Sequence, residues 1–418
     1  MRPKQTEVLV IGAGPVGMFI ALALARDGIN VRIIDQASGT SEHSYACALH
    51  GRTLKLLREA GLDGELVKVA RRIDALAFYE AHVRRAEINL AQVTPEFPCL
   101  LTLDQSALES LLEQKLRAAG VQIEWNHRLA GVVPFGDSIV ATIDELCGTV
   151  TGYDVPRWET VVNKTFECSA NFVVGADGHY SAVQRGAGID YELVSKPELF
   201  VVYEFDSDAA LENEVRIVLN PADTNVLWAL PDGRCRWSFQ WTETAPDGGF
   251  PEKSRSVWWS EDKAIATRTR EHLEGLLKAR APWFTGSIGS MNWATDVQFE
   301  RQLARKFGGG RCWLAGDAAH QTGPVGVQSM NVGLREGQIL ATHLSSILRR
   351  AASLDLLERY EQQFHHEWER LLGIGHRLVP ASQASPPLLQ NHAALLSCLP
   401  GSGEEAEAML AALGFALK

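Results

Sequence analysis

The stretch that decides the fold class lies near the start of the chain and reads Glu7-Val-Leu-Val-Ile11-Gly12-Ala-Gly14-Pro15-Val16-Gly17. Its first five residues are mostly apolar and rich in β-branched side chains, which predicts a strand buried on both faces. The glycines follow with G-x-G-x-x-G spacing, and the helix-forming residues of 16–26 come directly after them. In such a loop the first glycine permits a tight turn, the second lets the backbone approach a diphosphate, and the third lets the helix pack closely. The stretch therefore predicts a strand-loop-helix unit that binds a dinucleotide.

A carboxylate at the end of the next strand completes this unit. Residues 30–34 form a second apolar run after the stop signal Gly28, and Asp35 follows about 20 residues after Gly14. An acid in this place accepts hydrogen bonds from ribose hydroxyls. The unit alone does not distinguish NAD from FAD.

Two later glycine-aspartate elements distinguish the two cofactors. The strand-like run at 311–315 leads into Gly316-Asp317-Ala-Ala-His320, and a loop containing Pro324 and Gly326 then opens a helix at about 329. This order suits a ligand extended from ribityl hydroxyls at Asp317 to a ring at the helix start, whose positive dipole end favours negative charge on a reduced isoalloxazine. The other element, Val173-Val-Gly175-Ala-Asp177-Gly178, also follows a strand, and Asp177 could reach ribose or diphosphate through water. Together they favour FAD.

Composition narrows the class of protein and the location. The 418 residues are 46% hydrophobic and 22% charged, which is typical of a globular chain of two or three domains, and the net charge of −11 argues against a nucleic-acid partner or an anionic membrane surface. Seven cysteines without C-x-x-C spacing argue against a disulfide framework or a zinc site, and no metal is expected. Glycines and a proline interrupt the apolar stretch 8–25, so it predicts neither a signal peptide nor a membrane span. A cytoplasmic protein is expected.

The pattern of apolar and polar residues changes between about 190 and 290. Alternating apolar and polar residues, as in Leu199-Phe-Val-Val-Tyr-Glu-Phe205, predict antiparallel strands there. Tyr203 lies on such a strand, and its hydroxyl could contact a phenolic substrate, although a structural tyrosine is the commoner case. The predicted fold class is α/β, with a Rossmann-type cofactor domain, an inserted antiparallel-sheet domain and C-terminal helices.

The three motifs in this order resemble the class A flavoprotein monooxygenases, the para-hydroxybenzoate hydroxylase-like family of aromatic hydroxylases, over about residues 5–370. The resemblance implies a glutathione-reductase-like, discontinuous FAD-binding domain at 1–75, 101–189 and 291–350. A substrate-binding sheet domain would comprise 76–100 and 190–290, and a C-terminal helical segment would comprise 351–418.

The resemblance also assigns roles to residues of this chain. Gln105 matches a glutamine that contacts the flavin's phosphate and ribityl region, the Pro324 carbonyl would hold the substrate or the flavin peroxide, and Asn331 would abut the flavin ring. Pro324 and Tyr203 are the catalytic candidates, and His320 is expected to be structural. The residues expected to bind FAD are Gly12, Gly14, Pro15, Val16, Gly17, Asp35, Gln36, Arg52, Gln105, Asp177, Gly178, Gly316, Asp317, Pro324, Gly326, Val327, Met330 and Asn331.

Four residues depart from the family pattern. Tyr45 stands where an arginine usually precedes an alanine, and Gln184 replaces a second arginine, although Arg185 is adjacent. Val327 and Ser329 stand in a loop where small glycines are common. The first two departures remove cationic contacts to the flavin or the nicotinamide cofactor, and the last two add side chains close to the ring.

The implied reaction is a monooxygenation. NADPH or NADH would reduce FAD, O2 would add to give a flavin C4a-hydroperoxide, and its distal oxygen would pass to an aromatic or conjugated small molecule. An epoxidase, a Baeyer–Villiger oxygenase or a dehydrogenase of the same fold remain alternatives, as does a catalytically silent flavin-binding protein, which Tyr45 and Gln184 suggest. A homodimer is left open.

Overall fold

The computed structural model describes residues 4–41, 46–151, 157–221, 223–241, 268–381 and 386–418. Tyr45 lies outside the described residues. The helices of the described part are α1 (Pro15–Arg26), α2 (Gly51–Glu59), α3 (Asp63–Val69), α4 (Leu90–Val93), α5 (Gln105–Ala118), α6 (Ala182–Gly186), α7 (Arg270–Arg280), α8 (Gln328–Arg350), α9 (Asp355–Leu372), α10 (Pro386–Gln390), α11 (His392–Cys398) and α12 (Glu404–Ala412).

Strands alternate with these helices along the chain. They are β1 (Lys4–Ile11), β2 (Val31–Ile34), β3 (Ala48–Leu49), β4 (Arg71–Ile73), β5 (Ala75–Glu80), β6 (Val83–Asn89), β7 (Leu100–Thr102), β8 (Ile123–Glu124), β9 (His127–Phe135), β10 (Ser138–Thr151), β11 (Arg157–Gly175), β12 (Tyr191–Leu193), β13 (Glu198–Asp206), β14 (Glu214–Leu219), β15 (Thr224–Ala229), β16 (Arg234–Trp241), β17 (Met291–Phe299), β18 (Gln302–Ala304), β19 (Gly308–Gly309), β20 (Cys312–Leu314), β21 (His320–Gln321), β22 (Leu378–Pro380) and β23 (Phe415–Leu417).

The first sheet is built on the predicted strand-loop-helix unit. It has eight strands, and its central path runs β19-β20-β11-β1-β2-β8, with β10 and β9 added beside β11. Strands β20, β11, β1, β2 and β8 are parallel to their neighbours on this path, as a Rossmann-type sheet requires. Helix α1 packs against α5 and α8. One large apolar core joins these helices to the sheet, which explains why β1 is apolar throughout its second half.

The second sheet has seven strands in the order β17-β13-β16-β15-β14-β5-β6. Its neighbours are antiparallel, as predicted, except that β14 runs parallel to β5. The expected sheet domain ended at 290, but β17 pairs with β13 along its length, so this sheet takes a strand from a segment assigned to the cofactor domain. Such pairing between distant segments leaves no local signal in the sequence.

The two faces of the second sheet meet different partners because side chains alternate along each strand. One face packs on α7 and contains Tyr203 and Phe205. The other contains Phe200 and Val202, and it shares a core with Val327, at the start of α8, and with the C-terminal helices. The sheet therefore turns one apolar face toward the cofactor domain.

The C-terminal segment is helical, as expected, and also contains the antiparallel pair β22–β23. Its apolar residues contribute to the core under the second sheet. Among the described helices, none is long and apolar enough to cross a membrane. All seven cysteines are free.

Candidate functional site

The glycine-rich loop between β1 and α1 has the geometry that its spacing predicts. Gly12 has φ of +101°, and a Cβ there would lie 2.2 Å from the Ala176 carbonyl oxygen. A Cβ on Gly17 would lie 2.0 Å from the Gly12 carbonyl oxygen. A Cβ on Gly14 would meet no atom within 4 Å. The first and third glycines are thus required by packing, and the second borders open space.

This open space lies at the N-terminus of α1. Gly14 is the N-cap residue and provides no side-chain cap for the first turn of the helix. The unpaired N–H groups and the positive end of the helix dipole therefore face the open side of the loop. A diphosphate fits this position because it supplies both the acceptors and the negative charge.

Asp35 lies at the end of β2 and holds the loop. Its Oδ2 accepts a hydrogen bond from Ala13 N–H (2.6 Å), and its Oδ1 accepts one from Ala37 N–H (2.7 Å). The carboxylate is half-buried, so it retains an open side that a ribose hydroxyl could approach. Gln36 is exposed beside it.

Gln105 orders the segment that follows Tyr45. Its Oε1 accepts a hydrogen bond from Ala46 N–H (3.0 Å), and its Nε2 donates to Glu109 Oε1 (2.8 Å). Glu109 is buried, which raises its pKa, and it accepts a hydrogen bond from Ser41 N–H (2.7 Å). The Gln105–Glu109 pair therefore joins both Ser41 and Ala46 to α5.

Asp177 has a local structural role. It accepts hydrogen bonds from Ser181 Oγ–H (2.6 Å) and Ala182 N–H (2.6 Å), and burial raises its pKa. Both oxygens thus serve the start of α6. Gly178 takes the left-handed conformation next to Asp177, with φ of +74°. The predicted water-mediated contact of Asp177 with ribose or diphosphate gains no support from these bonds.

The Gly316-Asp317 element lies against the start of α1. Gly316 has φ of +64°, and a Cβ there would lie 3.1 Å from Val16 Cγ2. A Cβ on Gly333, in the second turn of α8, would lie 2.9 Å from Gly316 Cα. The N-terminal turns of α1 and α8 and the Gly316 turn are therefore packed together. Asp317 is exposed and accepts a hydrogen bond from Ser329 Oγ–H (2.6 Å).

The loop that opens α8 is tightly held. The N-cap of α8 is Val327, which is buried and provides no side-chain cap. Its backbone is in the left-handed conformation (φ 48°, ψ 41°), which is rare for a β-branched residue. Gly326 N–H donates to the Ser397 carbonyl oxygen (3.1 Å), and a Cβ on Gly326 would lie 2.7 Å from the Leu399 carbonyl oxygen. The C-terminal segment thus fixes this helix start. Pro324 is half-buried and Met330 is buried.

Asn331 joins α8 to the strand β3. Its Oδ1 accepts from His50 N–H (2.8 Å), and its Nδ2 donates to the carbonyl oxygens of Ala48 (2.9 Å) and Val327 (2.8 Å). The buried amide is thus occupied by backbone groups. The expected contact between Asn331 and a flavin ring is not supported by these bonds, which give the residue a structural role.

His50 is a residue of the site to which the sequence gives little clue. Its Nε2 lies 3.0 Å from the Gly326 carbonyl oxygen, and burial lowers its pKa to about 3, so it is neutral and Nε2–H donates. Within the described residues its Nδ1 has no hydrogen-bond partner. In the sequence, the clue to His50 is that it directly precedes Gly51, where α2 begins.

Two predicted site residues are not brought to this region. Arg52 donates its backbone N–H to Glu405 Oε1 (2.8 Å), and its guanidinium lies 3.7 Å from Glu367 Oε1, so its contacts run to the C-terminal helices and α9. Tyr203 is fully buried in the core beside α7, on the face of the sheet opposite Phe200. This position on the α7 side of the sheet gives no support to its expected role in catalysis.

A fully buried polar network lies behind the Gly316 turn and was missed from the sequence. Glu336 Oε2 lies 2.9 Å from His320 Nε2 and accepts from Gly316 N–H (2.9 Å), while its Oε1 accepts from Trp368 Nε1–H (2.7 Å). The His320 and Trp368 rings are stacked, with centroids 3.8 Å apart. His320 is thus structural, as expected. The sequence signal for this network was Glu336, a charged residue that lies between Gly333 and Gly337 among the buried residues of α8.

Residues 5–372 match the model of a family described as FAD binding domain. The chain therefore belongs to this FAD-binding-domain family, and the expected resemblance and fold class are confirmed.

Individual similar proteins are monooxygenases by name. The chain is 28% identical over 391 residues to 6-methylpretetramide 4-monooxygenase of Streptomyces rimosus, covering 92% of this chain and 62% of that protein. It is 25% identical over 364 residues to pentachlorophenol 4-monooxygenase of Sphingobium chlorophenolicum, covering 87% and 62%. The chain thus spans about three fifths of the length of these two curated relatives.

Solved structures show the same fold. The p-nitrophenol 4-monooxygenase of Pseudomonas putida DLL-E4 superposes with a TM-score of 0.72 at 20% identity, covering 94% of this chain and 90% of that one. A complex of aklavinone-11 hydroxylase with FAD and aklavinone gives a TM-score of 0.69 at 23% identity, covering 89% and 68%.

Proposed function

We propose that this protein is an FAD-dependent monooxygenase that uses NADH or NADPH and O2 to hydroxylate an aromatic or conjugated small molecule. The observation that carries the proposal is the convergence of two helix N-termini without side-chain caps, those of α1 and α8, next to an apolar sheet face. The names of the similar proteins, which include a pentachlorophenol and a p-nitrophenol monooxygenase, support it.

The residues of the chain bind and orient the cofactor. The first turn of α1 holds the diphosphate, and Asp35 orients the adjoining ribose. Asp317 accepts a hydrogen bond from a ribityl hydroxyl. The N–H groups of the first turn of α8 stabilise negative charge at the ring end. FAD, when bound, supplies the electron transfer and oxygen activation that side chains cannot supply. Pro324, half-buried shortly before the start of α8, would lie near the ring end of the cofactor when it is bound.

The substrate ring would lie where the face of the second sheet that carries Phe200 and Val202 meets Val327 at the start of α8, and the apolar core there would exclude water. Trp228 lies in the same core. An apolar, aromatic surface of this kind suits a planar aromatic substrate rather than a sugar or a peptide.

One polar group on this face provides orientation. Glu204 follows Phe200 and Val202 in the alternation of β13 and lies directly opposite Arg236 on β16, with 3.7 Å between Arg236 Nη1 and Glu204 Oε1. Burial raises the pKa of Glu204, and the Arg236 charge opposes that rise. Among the described residues, Glu204 Oε1 has no hydrogen-bond partner. A phenolic hydroxyl would supply the missing donor, and this fits a hydroxyl-bearing aromatic substrate.

The test is NADH and NADPH oxidation in air by the FAD-loaded protein, with and without phenols and polycyclic aromatics. Substrate-stimulated oxidation with a product one oxygen heavier is expected, and the position of the new oxygen separates hydroxylation from epoxidation or Baeyer–Villiger insertion. Flavin that is not reduced under anaerobic conditions by either nucleotide, with any compound present, would overturn the proposal and favour a silent flavin-binding protein.

A further inference from the structure

Ser329 links the exposed carboxylate of the cofactor site to the buried network behind it. Its Oγ–H donates to Asp317 Oδ1 at 2.6 Å, and its Oγ lies 3.4 Å from His320 Nδ1. His320 in turn contacts Glu336 through Nε2. A continuous chain of hydrogen bonds therefore runs from the surface to a carboxylate that is fully buried.

The direction of each hydrogen bond follows from the donors available. Glu336 accepts from the N–H groups of Gly316 and Trp368, one at each oxygen, so it behaves as a carboxylate and His320 Nε2–H donates to it. Ser329 uses its single proton for Asp317, which leaves the lone pairs of its oxygen facing His320 Nδ1 at 3.4 Å.

We propose that Ser329 is a positioning residue for the cofactor: it fixes the Asp317 carboxylate in the orientation that accepts a ribityl hydroxyl, and the His320–Glu336 pair fixes Ser329. The inference rests on the FAD-binding part of the proposed function. An exposed aspartate side chain otherwise rotates freely, and ordering it in advance lowers the entropy lost on binding. A carboxylate oxygen offers two lone-pair sites, so the serine and a ligand hydroxyl are accepted together. A glycine, which the family resemblance leads one to expect near this helix start, would leave Asp317 without this donor.

The experiment measures the Kd of FAD for the apoprotein by quenching of flavin fluorescence. Ser329→Ala is expected to raise the Kd about three- to tenfold, because one hydrogen bond that orders the acceptor is lost. Ser329→Thr keeps the hydroxyl and is expected to restore the wild-type Kd within about twofold. The urea-unfolding midpoint of each variant is measured in parallel. If Ser329 were purely structural, the midpoint would fall in Ser329→Ala and recover in Ser329→Thr together with the Kd.

A double-mutant cycle identifies the partner. In an Asp317→Ala background, Ser329→Ala is expected to have no further effect on the Kd, since the group that it orients is absent. An equal effect in both backgrounds, or an unchanged Kd in Ser329→Ala, would overturn the inference while leaving the proposed function intact. Failure of the wild-type protein to bind FAD would overturn the proposed function and this inference together.

Discussion

Gly14→Ala separates the folding of the glycine-rich loop from its binding of a diphosphate. The backbone of Gly14 has φ −73° and ψ 178°, which alanine adopts without strain, and an added Cβ would meet no atom of the protein within 4 Å. Substituting alanine for glycine at such a position usually stabilises a protein by about 0.4–1 kcal/mol through the unfolded state. The apoprotein is therefore expected to fold with equal or slightly higher stability.

The same methyl group fills the space that a diphosphate needs. Moving the diphosphate away from the start of α1 weakens about two hydrogen bonds from backbone N–H groups to a charged acceptor, each worth about 1.5 kcal/mol. The loss of about 3 kcal/mol corresponds to a Kd for FAD that is about 100-fold higher.

Two further variants make the comparison sharp. Gly275→Ala in α7 also adds a Cβ that meets nothing within 4 Å, so it should leave the Kd unchanged. Gly17→Ala places a Cβ 2.0 Å from the Gly12 carbonyl oxygen and should destabilise the apoprotein itself. The assays are urea unfolding of the apoprotein and titration of FAD fluorescence. If Gly14→Ala binds FAD as tightly as Gly275→Ala, the diphosphate does not lie at this loop and the reasoning fails.

Three other outcomes can be measured. Glu204→Gln should raise the KM for a phenolic substrate about tenfold. Tyr203→Phe, on the other face of the same strand, should change kcat/KM by less than about twofold. Equal effects of the two substitutions would refute the assignment of the two faces. Burial raises the pKa of Glu405 to about 7 from the usual 4.5, so the folded state binds the proton more tightly and stability should fall between about pH 4.5 and 7, by up to about 3 kcal/mol. Urea unfolding across this range should show the loss disappear in Glu405→Gln and persist in Glu404→Gln, its exposed neighbour. Gly333→Ala should cost about 1–3 kcal/mol in the same assay, because its Cβ would lie 2.9 Å from Gly316 Cα; an unchanged midpoint would show that α8 can move away from that turn.

Local patterns predicted the elements of the cofactor domain well. The β1-α1-β2 unit lies where hydrophobic periodicity and composition predict it, since both signals arise within a dozen residues. The parallel pairing of β14 with β5 and the place of β17 in the second sheet were not predicted, because each depends on contact between segments far apart in the chain. The same limit applies to the site: the hydrogen bond of His50 with Gly326 spans 276 positions.

The three aspartates that follow strands show why residue type and position do not suffice to assign a binding role. Each of the three follows a buried strand in the sequence, and a glycine lies between the strand and Asp317. Asp35, Asp177 and Asp317 were all expected to contact the cofactor. In the structure they differ in what already satisfies their oxygens. Asp177 uses both oxygens to start α6, Asp35 accepts backbone N–H groups yet stays half-buried, and Asp317 is exposed with a serine at one oxygen. Because a ligand hydroxyl binds where acceptor capacity remains open, cofactor affinity should depend most on Asp317, less on Asp35 and least on Asp177, whose loss should lower stability instead.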